Sequence, residues 1–191
     1  MTTAERLGAP VEHIVLNLMA PRNYASSYTE YDWHREGEPT IRFRFHVMPD
    51  DWTTLNDYDW ECYGKVAGIE RHPYRYGCNA DRPEGFDGSA EIISFGRSAD
   101  SCWWQPPEDI AHDREARKQM RQTVSDILEY GFVEWTVDLY RQCGSCDQWE
   151  HFGWCTWSGM EPMSEPHETD VENMVCEALD NIAGELGVMY Q

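Results

Sequence analysis

Cys143 and Cys146, in the run Gln142-Cys143-Gly144-Ser145-Cys146, are the residue types and spacing best suited to chemistry. Two thiols three positions apart can offer a pair of thiolates to zinc or close on each other as a disulfide. Zinc asks for four ligands, and no second Cys-x-x-Cys occurs. Cys155, His151, Cys78, His72 and Cys102 complete a site only if the fold carries them to the pair. Structural zinc, a redox dithiol and two thiols without a role therefore stand as alternatives. The seven histidines, His13, His34, His46, His72, His112, His151 and His167, form no H-E-x-x-H or deaminase-type zinc pattern. No nucleophile elbow, phosphate-binding glycine loop or dinucleotide fingerprint appears either. His151 with Asp138 is the one pair that could share a proton, and it lacks a nucleophile beside it. Enzyme activity is the lesser expectation, and no cofactor is implied beyond zinc.

Carboxylates are the second chemical resource. The chain holds 35 Asp and Glu against 15 Lys and Arg, a formal charge of −20. Residues 142–191 contain ten of those acids and not one Lys or Arg, so the last quarter carries half of the net charge. A surface of this kind repels phosphate backbones and attracts proteins whose own sites are basic, including proteins that bind DNA. The plain alternative is that the acids only solvate an exposed helix. Arg114, Arg117, Lys118 and Arg121 are the local exception, expected to pair with the protein's own carboxylates.

These residues need elements to hold them. Residues 40–48, TIRFRFHVM, alternate apolar and polar with period two, the signature of a half-buried strand. Further strands are expected over 59–70 and 89–96, with a loop over 71–88. Residues 11–19 read as a strand or a short helix, and 20–39 as polar and turn-rich. Pro106 and Pro107 lead into a helix that runs to about Tyr130 and stops at Gly131, its stripe Met120, Val124, Ile127 and Leu128. Residues 132–157 read as a hairpin. A two-residue Gly144-Ser145 turn would pair 140 with 149 and 135 with 154. That register puts Val133, Trp135, Val137, Leu139, Phe152 and Trp154 on the core face, and Tyr140, Trp149, Trp157, Asp138 and His151 on the other. A final helix over 170–186, capped by Thr169 and Glu172, buries Val171, Val175, Ala178, Leu179, Ile182 and Leu186.

Leu, Ile, Val and Phe supply only about 17% of the chain, which with high charge is the composition of disorder. Nine Trp and ten Tyr make up the deficit, so an aromatic core is expected instead. The length suits one domain, residues 1–191, of α+β class, with an antiparallel sheet of about five strands and two main helices packed on it. No stretch reaches the roughly 18 apolar residues of a membrane span, and the start, MTTAERLGAPVEH, has no signal-peptide pattern. With seven cysteines, an odd number, the expectation is reduced thiols in a cytoplasm.

The segment Asp126-Ile127-Leu128-Glu129-Tyr130-Gly131-Phe132-Val133-Glu134, then the hairpin, Trp157-Ser158-Gly159-Met160-Glu161 and the acidic last helix, resembles uncharacterised accessory proteins of tailed bacteriophages that infect actinobacteria. The resemblance covers the C-terminal half. It implies a small protein made in an infected bacterium that acts by binding a host component, such as a defence enzyme or the transcription machinery. The expected function is that of a non-enzymatic acidic protein engaging a basic host protein, with mimicry of nucleic acid as one mode and no direct nucleic-acid or membrane contact. Asp170, Glu177, Asp180 and Glu185 are the residues expected to meet the partner, with Trp149 and Trp157 as aromatic anchors.

Overall fold

A computed structural model of the chain describes residues 2–20, 28–50, 62–70, 81–96 and 100–184. In chain order the elements are α1 (Thr3–Leu7), α2 (Val11–Leu18), β1 (Tyr28–Trp33), β2 (Ile41–Pro49), β3 (Lys65–Glu70), β4 (Glu91–Phe95), β5 (Asp100–Gln105), α3 (Arg114–Tyr130), β6 (Val133–Gln142), β7 (Trp149–Met160) and α4 (Glu168–Asn181). The class is α+β. The strands fall into two antiparallel sheets, one of four strands and one of three, and the chain divides into two compact units. No helix among the described residues is long and apolar enough to cross a membrane.

The first unit comprises residues 1–49, 133–160 and 165–191, and its sheet runs β1-β2-β6-β7. Period-two alternation decides which face of β2 is buried: Ile41, Phe43 and Phe45 are at most 2% exposed, while Arg42, Arg44 and His46 point the other way. Trp135, Val137 and Leu139 of β6 and Cys155 of β7 continue the same face. Helices cover it. Ala4 of α1, Ile14, Val15 and Leu18 of α2, and Val171, Met174, Val175, Ala178 and Leu179 of α4 join one core with those strands. Each Val, Leu, Ile, Phe or Met among them contributes about 1.5–3 kcal/mol by leaving water.

Strand β1 lies in the stretch expected to be turn-rich. Its acids are neutralised by its neighbour: Glu30 pairs with Arg44 and Asp32 with Arg42 across the β1–β2 ladder. That exchange of charge lets a polar sequence serve as an edge strand. Strands β2 and β6 are paired out to their far ends, where Pro49 stands opposite Val133. The chain therefore leaves this sheet and re-enters it at one rung.

The second unit comprises residues 50–132 and 161–164, with sheet order β3-β5-β4. Its core joins Ile93 and Phe95 of β4, Cys102 and Trp104 of β5 and Val124 of α3, with Met120 and Leu128 packed against them. The indole of Trp104, fully buried, donates to the Tyr63 carbonyl at 2.8 Å. Helix α3 has the expected stripe and the expected end, Gly131 taking φ +74° directly after Tyr130. Strand β5 occupies the Ser101-Cys102-Trp103-Trp104 run, which carries no strand signal of its own in the sequence.

Candidate binding surfaces

Helix α4 starts two residues earlier than its sequence suggests, and on a different cap. The His167 amide donates to Asp170 Oδ2 at 2.8 Å, so Asp170 closes the helix N-terminus in place of the Thr169–Glu172 box. Asp170 is thereby half-buried and occupied. Glu177 and Asp180 are exposed, and so are Glu168 and Glu172, which the sequence had not singled out as partner-binding. Glu177 accepts from the Trp157 indole at 3.3 Å. None of Glu168, Glu172, Glu177 and Asp180 has a Lys or Arg partner among the described residues. Glu12 and Leu16 of α2 stand with Glu168 and Glu172 around a cleft of about 420 Å³, and Leu16 is 55% exposed. Glu185 lies outside the described residues.

The hairpin differs from its expected register. Cys143 N donates to the Gln148 carbonyl at 2.8 Å and Asp147 N to the Cys143 carbonyl at 3.2 Å, so the connection is the four residues Gly144–Asp147. Asp147 takes φ 54°, a left-handed conformation that Asp tolerates and most residues avoid. Pairing then runs Gln142 with Trp149, Tyr140 with His151 and Val137 with Cys155, and a bulge at Phe152 shifts it again. The two expected anchors consequently lie on opposite faces. Trp157 packs against the core beside α4, whereas Trp149 sits on the outer face under the Arg42 guanidinium, 4.0 Å from its ring centre. Trp154, expected in the core, is 58% exposed on that outer face and stacks on His151 at 6.0 Å.

The outer face is a network of cations, rings and acids. Arg42 grips Asp32 with two hydrogen bonds of 2.6 and 2.8 Å, and holds its carboxyl below the ordinary value of 3.8. Arg44 binds Glu30 at 2.7 Å and lies over the rings of Tyr28 and Tyr140 at 4.2 and 4.7 Å. Asp138, its side chain 13% exposed, receives His151 Nε2 at 2.9 Å on one oxygen and faces His46 Nε2 at 3.4 Å with the other. The His151–Asp138 pair is thus real geometry. No hydroxyl or thiol among the described residues is bonded to His151, the place a nucleophile activated by the pair would take.

At the tip, Cys143 Sγ lies 3.1 Å from Ser145 Oγ. Hydrogen bonds from the Ser145 hydroxyl, the Ser145 amide and then Cys146 stabilise the thiolate and bring Cys143 down to about 7. Cys155 shows the opposite case: burial, with Glu177 nearby, pushes its thiol up to about 12. Among the described residues no group of three or more His, Cys, Asp and Glu is placed to hold a metal ion. Cys155 is buried on the inner sheet face, His151 is engaged by Asp138, and Cys102 is buried in the core of the second unit. His72 and Cys78 lie outside the described residues. What the tip offers is a pair of accessible thiols, one of them ionised in part near neutrality.

No protein-family model matches the chain, and no curated protein or solved structure matches it.

Proposed function

We propose that the chain is a non-enzymatic binding protein that docks through the acidic edge of α4 on a protein with a basic surface. The carrying observation is the set of exposed carboxylates spread over the outward arc of α4, Glu168, Glu172, Glu177 and Asp180, which have no basic partner among the described residues, in a sequence that has no Lys or Arg after Arg141. From Glu168 to Asp180 the helix advances about 18 Å, enough for several simultaneous ion pairs. Leu16, exposed beside Glu12 in the neighbouring cleft, adds an apolar contact. Such a surface speeds encounter with a positive partner and excludes negative ones. On the phage resemblance, the partner is a host protein whose own site takes nucleic acid, and these carboxylates stand in for phosphates.

The test is retention of host-lysate proteins on the immobilised chain, compared with the triple variant Glu168→Lys, Glu172→Lys and Asp180→Lys. Exposed pairs contribute up to about 1 kcal/mol each, so three reversals should weaken a true partner by about a hundredfold. That partner should leave the wild-type chain in moderate salt and be displaced by duplex DNA. A partner held equally by the reversed variant, with circular dichroism unchanged, would remove α4 from the interface.

A further inference from the structure

Four of the chain's 15 basic residues stand within eight positions at the start of α3: Arg114, Arg117, Lys118 and Arg121. Positions i, i+3, i+4 and i+7 put them on one stripe of the helix. Their placement works against the helix. Like charges four apart repel, and cations in the first turns face the positive end of the helix dipole. The helix end is already closed, because Asp113 Oδ1 accepts from the amides of Glu115 and Ala116 at 2.9 and 3.0 Å.

The sequence suggests that the protein's own acids neutralise this stripe, and among the described residues they do so only in part. Glu91 of β4 binds Arg117 at 3.1 Å and meets Arg121 at 3.7 Å. Arg117 also donates to the carbonyls of Ser89 and Ala111, at 3.1 and 3.2 Å, which fixes it as a wall. Arg114 and Lys118 have no ion-pair or hydrogen-bond partner among the described residues. With Glu91, Ala111 and His112, the four cations line a cleft of about 540 Å³. Among the described lining residues, one carboxylate against four cations leaves a surplus of three positive charges in a chain whose total is −20.

We infer that this cleft binds a small anion carrying two or more linked phosphates. Its volume falls in the range of about 300–1,000 Å³ typical of small-ligand sites. Guanidinium forks fit phosphate oxygens two at a time, and an ammonium adds a mobile point charge. A surplus of three charges matches a pyrophosphate group better than a single carboxylate. A long nucleic acid would meet the field of a chain whose net charge is −20, so the ligand is compact. This site belongs to the second unit and is independent of the acidic edge of α4.

Calorimetric titration of the full chain with pyrophosphate, tripolyphosphate, orthophosphate and ADP tests the assignment. Pyrophosphate and tripolyphosphate should saturate one site, at least tenfold tighter than orthophosphate. The double variant Arg114→Ala, Lys118→Ala, which keeps good helix formers at exposed positions, should lose tenfold or more. ADP binding as tightly as pyrophosphate would identify a phosphate ester as the source, and pyrophosphate binding alone the inorganic anion. Either result supports the site. No saturable binding of pyrophosphate or tripolyphosphate at millimolar concentration, or equal binding by the double variant with its helix content intact, would overturn it.

Discussion

Replacing Gly153 with alanine tests how the last helix closes on the first sheet. Gly153 lies on the inner face of β7 opposite Leu139, and a methyl there would come within 2.3 Å of Ile182 Cγ2 and 3.4 Å of Leu139 Cδ1. Carbon atoms rest at about 3.5–4.0 Å, so the first contact overlaps by more than 1 Å. Ile182 sits just past α4 and is 2% exposed, with little room to turn aside. Overpacking of this kind costs about 1–3 kcal/mol. At about 2–4 °C per kcal/mol for a chain of this size, Gly153→Ala should lower Tm by roughly 2–12 °C. Ile182→Ala alone should cost about 2–5 kcal/mol through the cavity it leaves. Together the two should cost less than their sum, by about 1–3 kcal/mol, because the new methyl occupies space that Ile182 vacates. Urea unfolding followed by circular dichroism measures all four corners of the cycle. Additivity within about 0.5 kcal/mol, or an unperturbed Gly153→Ala, would show that α4 does not close on β7 at this point.

Two further outcomes follow from ionisation. Alkylation of Cys143 by iodoacetamide should rise with a midpoint near pH 7, and Ser145→Ala should move that midpoint up toward 9.0. Buried Cys155 should stay unmodified in the folded chain, and a midpoint near 9 for both proteins would contradict the hydrogen bonds at the tip. Asp32 has its folded pKa below its unfolded value, so its stabilisation is complete above about pH 4 and fades as pH falls through the folded value. The Tm gap between wild type and Asp32→Asn should therefore be widest from pH 5 to 7 and narrow below pH 4, whereas a constant gap down to pH 2.5 would exclude the Arg42 grip.

What could be read in the sequence, and what could not, divides along local against long-range causes. Strand β2 and the stripe and stop of α3 are written in short-range periodicity, and the structure has them where the pattern puts them. Strand β1 is not, because its acids become strand-compatible only opposite Arg42 and Arg44. The hairpin misleads for a different reason. Gly144-Ser145 suggests a tight turn, but the connection has four residues with Asp147 left-handed; that shift of two keeps Trp149 on the outer face, and the one-residue bulge at Phe152 is what turns Trp154 outward and Trp157 inward. Trp154 as a core residue follows from an unbroken alternation along the second strand, whereas the bulge gives that place to Cys155. Asp147 was the available signal for the turn, since Asp is one of the few residues that tolerates such a conformation. The acidic arc of α4 was legible as charge, but its capping by Asp170 depended on where the helix begins.

The rung that joins Pro49 to Val133 has a consequence for how such a chain can change over time. Residues 50–132 depart from and return to a single point on the first sheet. A segment tethered in that way behaves genetically as a cassette: it can lengthen, shorten or be exchanged while β2 and β6 keep their register, because no strand has to be rethreaded. Natural variation should then accumulate unevenly, with one part of the gene free to be swapped and the rest constrained as a frame.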